Sequence, residues 1–181
     1  MINEYISNLN VRKLDNGIQN LAHKFHCGNS FMDSFLRSSQ ALDDGFGKTY
    51  VWLEDDDKAI IGFYNISVGS IDQQDGDSWY KIGGAVHINE FAMDQKYQGV
   101  PVDVNQDINL SDLLLKDCID RIVYVRDSFI GFSFITLQST PAGKSLYKRN
   151  DFEEVEEDMK VSQMQESEID CTTMYLALDI E

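Results

Sequence analysis

The sequence predicts an α/β (α+β) domain spanning residues 1–181, with a central mixed, mostly antiparallel sheet of six or seven strands flanked by about four helices. Three observations predict it. Ala85-Val-His-Ile-Asn-Glu-Phe-Ala-Met93 carries apolar residues on both faces, as a central strand does. In Leu110–Val125, Leu110, Leu114, Cys118 and Ile122 form one row with Leu115, Ile119 and Val123 beside it, the stripe of a helix that packs on one face. Thr136-Leu-Gln-Ser-Thr-Pro-Ala-Gly-Lys-Ser-Leu-Tyr-Lys-Arg-Asn-Asp-Phe152 reads as a strand end, a helix and a new strand start.

The other elements follow in order. Asn10–Leu14 fits a first strand, and Gly17–Phe25 and Ser30–Leu42 fit two helices, the second capped by Asn29 or Ser30. Thr49–Leu53 and Ala59–Val68 are strands joined by the acidic turn Glu54-Asp-Asp-Asp-Lys58. Ser70–Gly84 reads as a polar loop. Phe132, Phe134, Ile135 and Leu137 begin a β-rich run. Thr140 then serves as an N-cap, with Pro141 at the first helical position. The pair Asn150-Asp151 suits the left-handed end of that helix. Cys171–Leu178 supplies a final strand.

Composition narrows the class. The chain of 181 residues is 43% hydrophobic and 11% aromatic, which predicts a globular fold with a sizeable core. No apolar run is long enough to span a membrane, and the first residues lack a signal-peptide pattern. Cys27, Cys118 and Cys171 are too few and too scattered for a disulfide framework, so a reducing cytoplasm is the expected setting. The net charge is −16, of which residues 151–181 carry −10. Phosphate backbones need clustered lysine and arginine, and only Lys144, Lys148 and Arg149 cluster, so nucleic acid is not an expected partner. The acidic C-terminal part is either a solvated face or an attractor for a cationic amine or a basic protein.

Leu146, Tyr147 and Phe152 resemble the last motif of the GNAT acetyltransferases, Leu-Tyr-x-x-x-Gly-Phe, with Asp151 where that family has glycine. Phe25-His-Cys-Gly-Asn-Ser-Phe-Met-Asp-Ser-Phe-Leu36 resembles the entry segment of the toxin-like branch of the family. Ile61-Gly-Phe-Tyr-Asn-Ile66 and Phe91-Ala-Met-Asp94 are similar to two of its strands. The resemblance implies a GNAT fold, acetyl-CoA as co-substrate and transfer of an acetyl group to a primary amine of a small molecule or protein. It also implies cofactor contacts along Phe91, Ala92 and Met93, between the strands Ala85–Met93 and Phe132–Ser139.

The family holds pyrophosphate on backbone N–H groups of a glycine-containing loop that opens a helix, because helix N-termini bind anions. One register, Gln98-Gly-Val-Pro-Val-Asp103, places Pro101 and Asp103 at the small positions, where proline lacks a donor and aspartate repels phosphate. In a second register residues 100–108 are an insertion. Gln98 and Gly99 are then followed by Asn109, Leu110 and Ser111 at the helix start.

Tyr147 stands where the family's acid does and would protonate the leaving thiolate; a phenol with a pKa near ~10 carries its proton at neutral pH. It could equally pack in the core. Glu90 is the candidate base, and His87, three residues earlier, points to the opposite face by strand alternation. His23, His26 and Cys27 lack a further ligand pair, so no metal is expected. Two function classes stand: an acetyl-CoA-dependent N-acetyltransferase, and a GNAT-fold binding protein without catalysis. A homodimer is left open.

Overall fold

Caps and turns set the element boundaries in the computed structural model, which describes residues 9–103, 108–162 and 170–178. Among the described residues the main sheet has eight strands, and the chain forms two compact units, residues 9–66 with 90–120, and residues 67–89 with 121–178. Antiparallel ladders dominate and one pair is parallel, so the sheet is mixed as expected. Two of its strands are shorter than the sequence pattern can reveal. Among the described residues no helix is long and apolar enough to cross a membrane.

In the first unit, β1 (Val11–Lys13) pairs antiparallel with β2 (Lys48–Leu53), which pairs antiparallel with the first part of β3 (Ile60–Asp75). The end of β4 (Ser78–Met93) lies beside β3; a Cβ on Gly62 would sit 2.9 Å from the Ala92 carbonyl oxygen. The core joins Leu14, Phe25, Leu36, Val51, Phe63 and Ala92. Phe63 takes the edge of Phe25 at 5.4 Å and stacks on Phe35 at 6.2 Å.

The two expected helices here are shorter than their apolar spacing suggests. Asp15 caps α1 (Asn16–Gln19), accepting from the Ile18 N–H at 2.9 Å, and a separate 3-10 turn covers Ala22–Lys24. Arg37 donates to the carbonyls of Ala22 (3.1 Å) and Phe25 (2.7 Å), which lie in the last turn of the expected helix and lack a partner within it. Asn29 caps α2 (Ser30–Arg37), as expected. That helix stops at Ser38, whose backbone is extended, and Gln19 takes the carbonyl of Ser38 at 2.6 Å. Ser39–Leu42 is a 3-10 turn.

In the second unit β3 and β4 continue as a long hairpin, where the sequence suggested a loop over Ser70–Gly84. The turn is at Gly76, whose φ of 60° suits glycine. The strands persist because β9 (Met159–Ser162) pairs with β3 from Ser70↔Ser162 to Gln73↔Met159. Ser162 donates to Asp72 at 2.8 Å, and Lys160 sits 4.1 Å above the Trp79 ring. β4 also runs parallel to β7 (Phe134–Ser139) from Ala85↔Phe134 to Ile88↔Leu137, which makes it the central strand of this unit. β7 pairs antiparallel with β10 (Thr172–Ala177), which carries the short β8 (Glu153–Glu154) on its other side. Ile71, Ile88, Ile135, Leu137, Leu146 and Met174 are buried.

A two-stranded ribbon, β5 (Pro101–Asp103) and β6 (Ile108–Asn109), precedes α3 (Leu110–Ser128). Leu114, Cys118 and Ile122 of the expected α3 stripe are buried, as is Leu115 beside them. The fourth helix, α4 (Lys144–Lys148), follows β7.

Candidate functional site

The first unit contains the expected cofactor segments. At the end of β4, Asp94 is 5% exposed and caps a turn at Gln95–Tyr97. Its carboxylate accepts from the N–H groups of Lys96 (3.1 Å) and His26 (3.0 Å). Gln95 N–H donates to the His26 carbonyl at 2.9 Å. The Gln98 side chain donates to the carbonyls of Cys27 (2.7 Å) and Met93 (2.9 Å). The Phe25–Gly28 and Phe91–Asp94 segments, separate motifs in the sequence, are therefore one hydrogen-bonded structure. Asp94 is the residue that sequence reasoning passed over; an aspartate directly after a strand and two residues before a lysine N–H is a capping signal.

Residues 100–108, read as an insertion, begin and end in the β5–β6 ribbon. Pro101 faces Asn109, and the Leu110 N–H donates to the Val100 carbonyl at 3.0 Å. The chain thus leaves after Gly99 and returns to the start of α3 beside the residue that follows Gly99. Gly99 has φ of 67° with nothing within 4 Å of the place a Cβ would take, so its backbone is open and left-handed. Asp112 turns one carboxylate oxygen back to the Asn109 N–H at 2.9 Å, the geometry of half a capping box. The N–H groups of the first turn, Ser111 among them, have no acceptor within the helix itself. Ala92 and Met93 are 6% and 5% exposed, so their side chains belong to the core. Phe91 is half-buried.

Glu90, also in this unit, is half-buried, and burial pushes its carboxyl up to about 7. That value suits a group that takes up and returns a proton near neutrality.

The second unit carries Tyr147, 6% exposed. Thr140 caps a turn rather than the helix: its carbonyl and hydroxyl both accept from the Gly143 N–H, at 3.0 and 3.3 Å. With Thr140–Gly143 closed on itself in this way, α4 starts at Lys144, three residues after Pro141. The helix end is the expected one. Asp151 takes φ of 66°, the Phe152 N–H reaches the Tyr147 carbonyl (3.1 Å) and the Asp151 N–H that of Lys148 (3.3 Å), a Schellman motif. Lys144 and Lys148 both bind Glu154, at 2.9 and 2.7 Å. His87 is buried, meets the Thr136 hydroxyl at 2.9 Å through Nδ1, and is pushed down to about 4 by burial, so it is neutral at pH 7.

The histidines and cysteines of the N-terminal part have structural partners. His23 contacts the Asn20 carbonyl, His26 lies 3.6 Å from Asp33, and the Cys27 thiol donates to the Asn29 carbonyl at 3.5 Å. Burial pushes the Cys27 thiol up to about 11. Cys118 is wholly buried.

No protein-family model and no curated protein matches this chain. Solved structures do. A bacterial toxin matches with a TM-score of 0.65 at 18% identity, over 92% of this chain and 90% of that one. AtaTR bound with acetyl-CoA matches with a TM-score of 0.68 at 15% identity, over 94% of each chain. AtaT complexed with acetyl-methionyl-tRNA matches with a TM-score of 0.64 at 16% identity, over 84% of this chain and 92% of that one. The likeness establishes the fold, which is the GNAT fold that the sequence motifs implied.

Proposed function

We propose that the protein is an acetyl-CoA-dependent N-acetyltransferase in which a primary amine attacks the thioester directly. One observation carries the proposal: the β5–β6 ribbon brings the chain after Gly99 back to the start of α3, so an open glycine backbone and a helix N-terminus adjoin the same hydrogen bond, Leu110 to Val100. Those are the ingredients of an anion cradle for a pyrophosphate. Support comes from AtaTR, a structure of the same fold, which is bound with acetyl-CoA.

Gln98, Gly99 and Ser111 would hold the co-substrate's pyrophosphate by backbone N–H groups, while Asn109 and Leu110, whose N–H groups go to Asp112 and to the Val100 carbonyl, fix the shape of the cradle. Gln98 also braces the loop through its side chain. The backbone of Phe91, Ala92 and Met93 would line the pantetheine arm. Glu90 takes the proton from the incoming ammonium, and Tyr147 gives its phenolic proton to the departing sulfur.

The net charge of the whole chain does not decide the acceptor, because AtaT, of the same fold, is complexed with acetyl-methionyl-tRNA, whereas nucleic acid was not an expected partner here. Calorimetric titration with acetyl-CoA tests the cradle, and thiol release across an amine panel tests transfer. Absence of acetyl-CoA binding overturns the proposal. Tight binding without turnover of any amine would leave a GNAT-fold binding protein.

A further inference from the structure

The acceptor can be narrowed from the charges around α4, given the acetyltransferase reading above. Lys144, Lys148 and Arg149 are the basic cluster of the sequence, and they flank Tyr147. Lys144 and Lys148 are four apart on a helix and so share a face. Both ammonium groups converge on the one carboxylate of Glu154, at 2.9 Å to Oε2 and 2.7 Å to Oε1. β8 sets Glu154 there, through its register with Met174 of β10. The two lysines hold that carboxyl below its usual range, so it stays ionised. A carboxylate gripped by two lysines occupies them as a backbone phosphate would. Around it Glu153, Glu156 and Glu157 are exposed, within a segment, residues 151–181, of net charge −10. A polyanion approaching this helix meets two lysines that share one carboxylate, a net of +1 in place of +2, inside a segment with a surplus of negative charge, whereas an ammonium is attracted.

We infer that Glu154 is a specificity-determining residue that withdraws Lys144 and Lys148 from nucleic acid, and that the acceptor is a free aliphatic ammonium, as on a polyamine or a lysine-rich peptide, rather than an aminoacyl-tRNA. The ammonium gives one proton to Glu90, its nitrogen forms the N–C bond, and the C–S bond breaks with its electron pair on sulfur. Tyr147 protonates that sulfur, and the second nitrogen proton restores the phenol. The products are the acetamide, the free thiol and one proton released to water.

Two measurements test this. Thiol release is followed with spermidine, a lysine-rich peptide and methionyl-tRNA as acceptors. The cationic amines should exceed methionyl-tRNA in kcat/KM by about tenfold or more, the larger of the two identifying the source. Preference for methionyl-tRNA would overturn the assignment while leaving the acetyltransferase reading intact. No acetyl-CoA binding and no turnover of any acceptor would overturn both. Independently of turnover, tRNA binding is measured against salt for the wild type, Glu154→Gln and Glu157→Gln. Glu154→Gln should tighten tRNA binding by about tenfold at low salt and steepen the salt dependence by about 1–2, the number of lysines released. Glu157→Gln, which removes the same charge from the same segment, should stay within about twofold of wild type. An unchanged affinity and slope in Glu154→Gln, or an equal effect in Glu157→Gln, would overturn the role of Glu154.

Discussion

Phe152 grips Tyr147 twice: its N–H donates to the Tyr147 carbonyl at 3.1 Å, and its ring meets the Tyr147 ring edge-on at 5.7 Å. The helix-ending hydrogen bond and the hydrophobic contact that accompanies a Schellman motif are thus made by the same pair. The tyrosine proposed as the acid is held by the residue that terminates its helix.

Phe152→Ala should cost about 3–5 kcal/mol of stability, because a 3% exposed aromatic side chain leaves a cavity against Tyr147. Asp151→Gly should instead stabilise by about 0.5 kcal/mol, the relief of a left-handed non-glycine residue outweighing glycine's added entropy in the unfolded chain. Urea unfolding of both variants checks the signs. A destabilised Asp151→Gly would show that the aspartate side chain contributes more than its backbone strain costs.

Tyr147→Phe keeps the ring and its packing and removes only the hydroxyl. Turnover should fall by roughly 10²–10⁴-fold with acetyl-CoA affinity retained. Steady-state kinetics beside calorimetry measure both. A near-wild-type rate would take the phenol out of the mechanism and leave it a core residue.

Glu90 and His87 pull stability in opposite directions with pH. Burial raises Glu90 from 4.5 to about 7, so the folded chain keeps a proton that the unfolded chain has lost, and stability falls as pH rises through that window. Burial lowers His87 from 6.5 to about 4, so the unfolded chain binds the extra proton and stability rises with pH across that window. Glu90→Gln should therefore match wild type below the unfolded value and gain on it by up to about 3 kcal/mol above pH about 7. In activity, the wild-type rate should climb through about 7 and the variant should lose that limb. A difference in unfolding free energy that does not vary with pH would mean that the carboxyl is solvated.

Ser111→Glu places charge and bulk on the first turn of α3, at the proposed pyrophosphate cradle. Acetyl-CoA affinity should drop by about 100-fold or more while the circular dichroism spectrum is kept, since an acidic residue there suits the helix dipole. Affinity equal to wild type would reject the cradle.

The apolar spacing of α3, the Asn29 cap and the left-handed end at Asp151 were legible because each depends on residues within a turn of one another. The fold class followed from their order. Two helix ends were not legible. Gln19 takes the Ser38 carbonyl, which a continuous helix to Leu42 would have used, and Arg37 satisfies the carbonyls of Ala22 and Phe25; no local pattern announces a donor 12 to 19 residues away. The long hairpin was hidden for the same reason: its polar outer half is held by β9, whose Ser162 meets Asp72 across 90 positions. Strand position and motif offered Glu90 and Tyr147 as candidates, whereas no local pattern offered the Glu154 clamp or the bracing of the loop by Gln98.

By itself, then, the sequence determined the elements with a local signature, β1, β2, the inner parts of β3 and β4, α3, β7 and β10, their order, and the fold those imply, since these rest on periodicity and caps acting at short range. Only the tertiary structure decided where the helices stop, that residues 101–103 and 108–109 pair, and that Lys144 and Lys148 are already occupied. Backbone carbonyls and ammonium groups go to whichever partner lies at hydrogen-bond distance, and for these groups the partner that wins is far away in the chain.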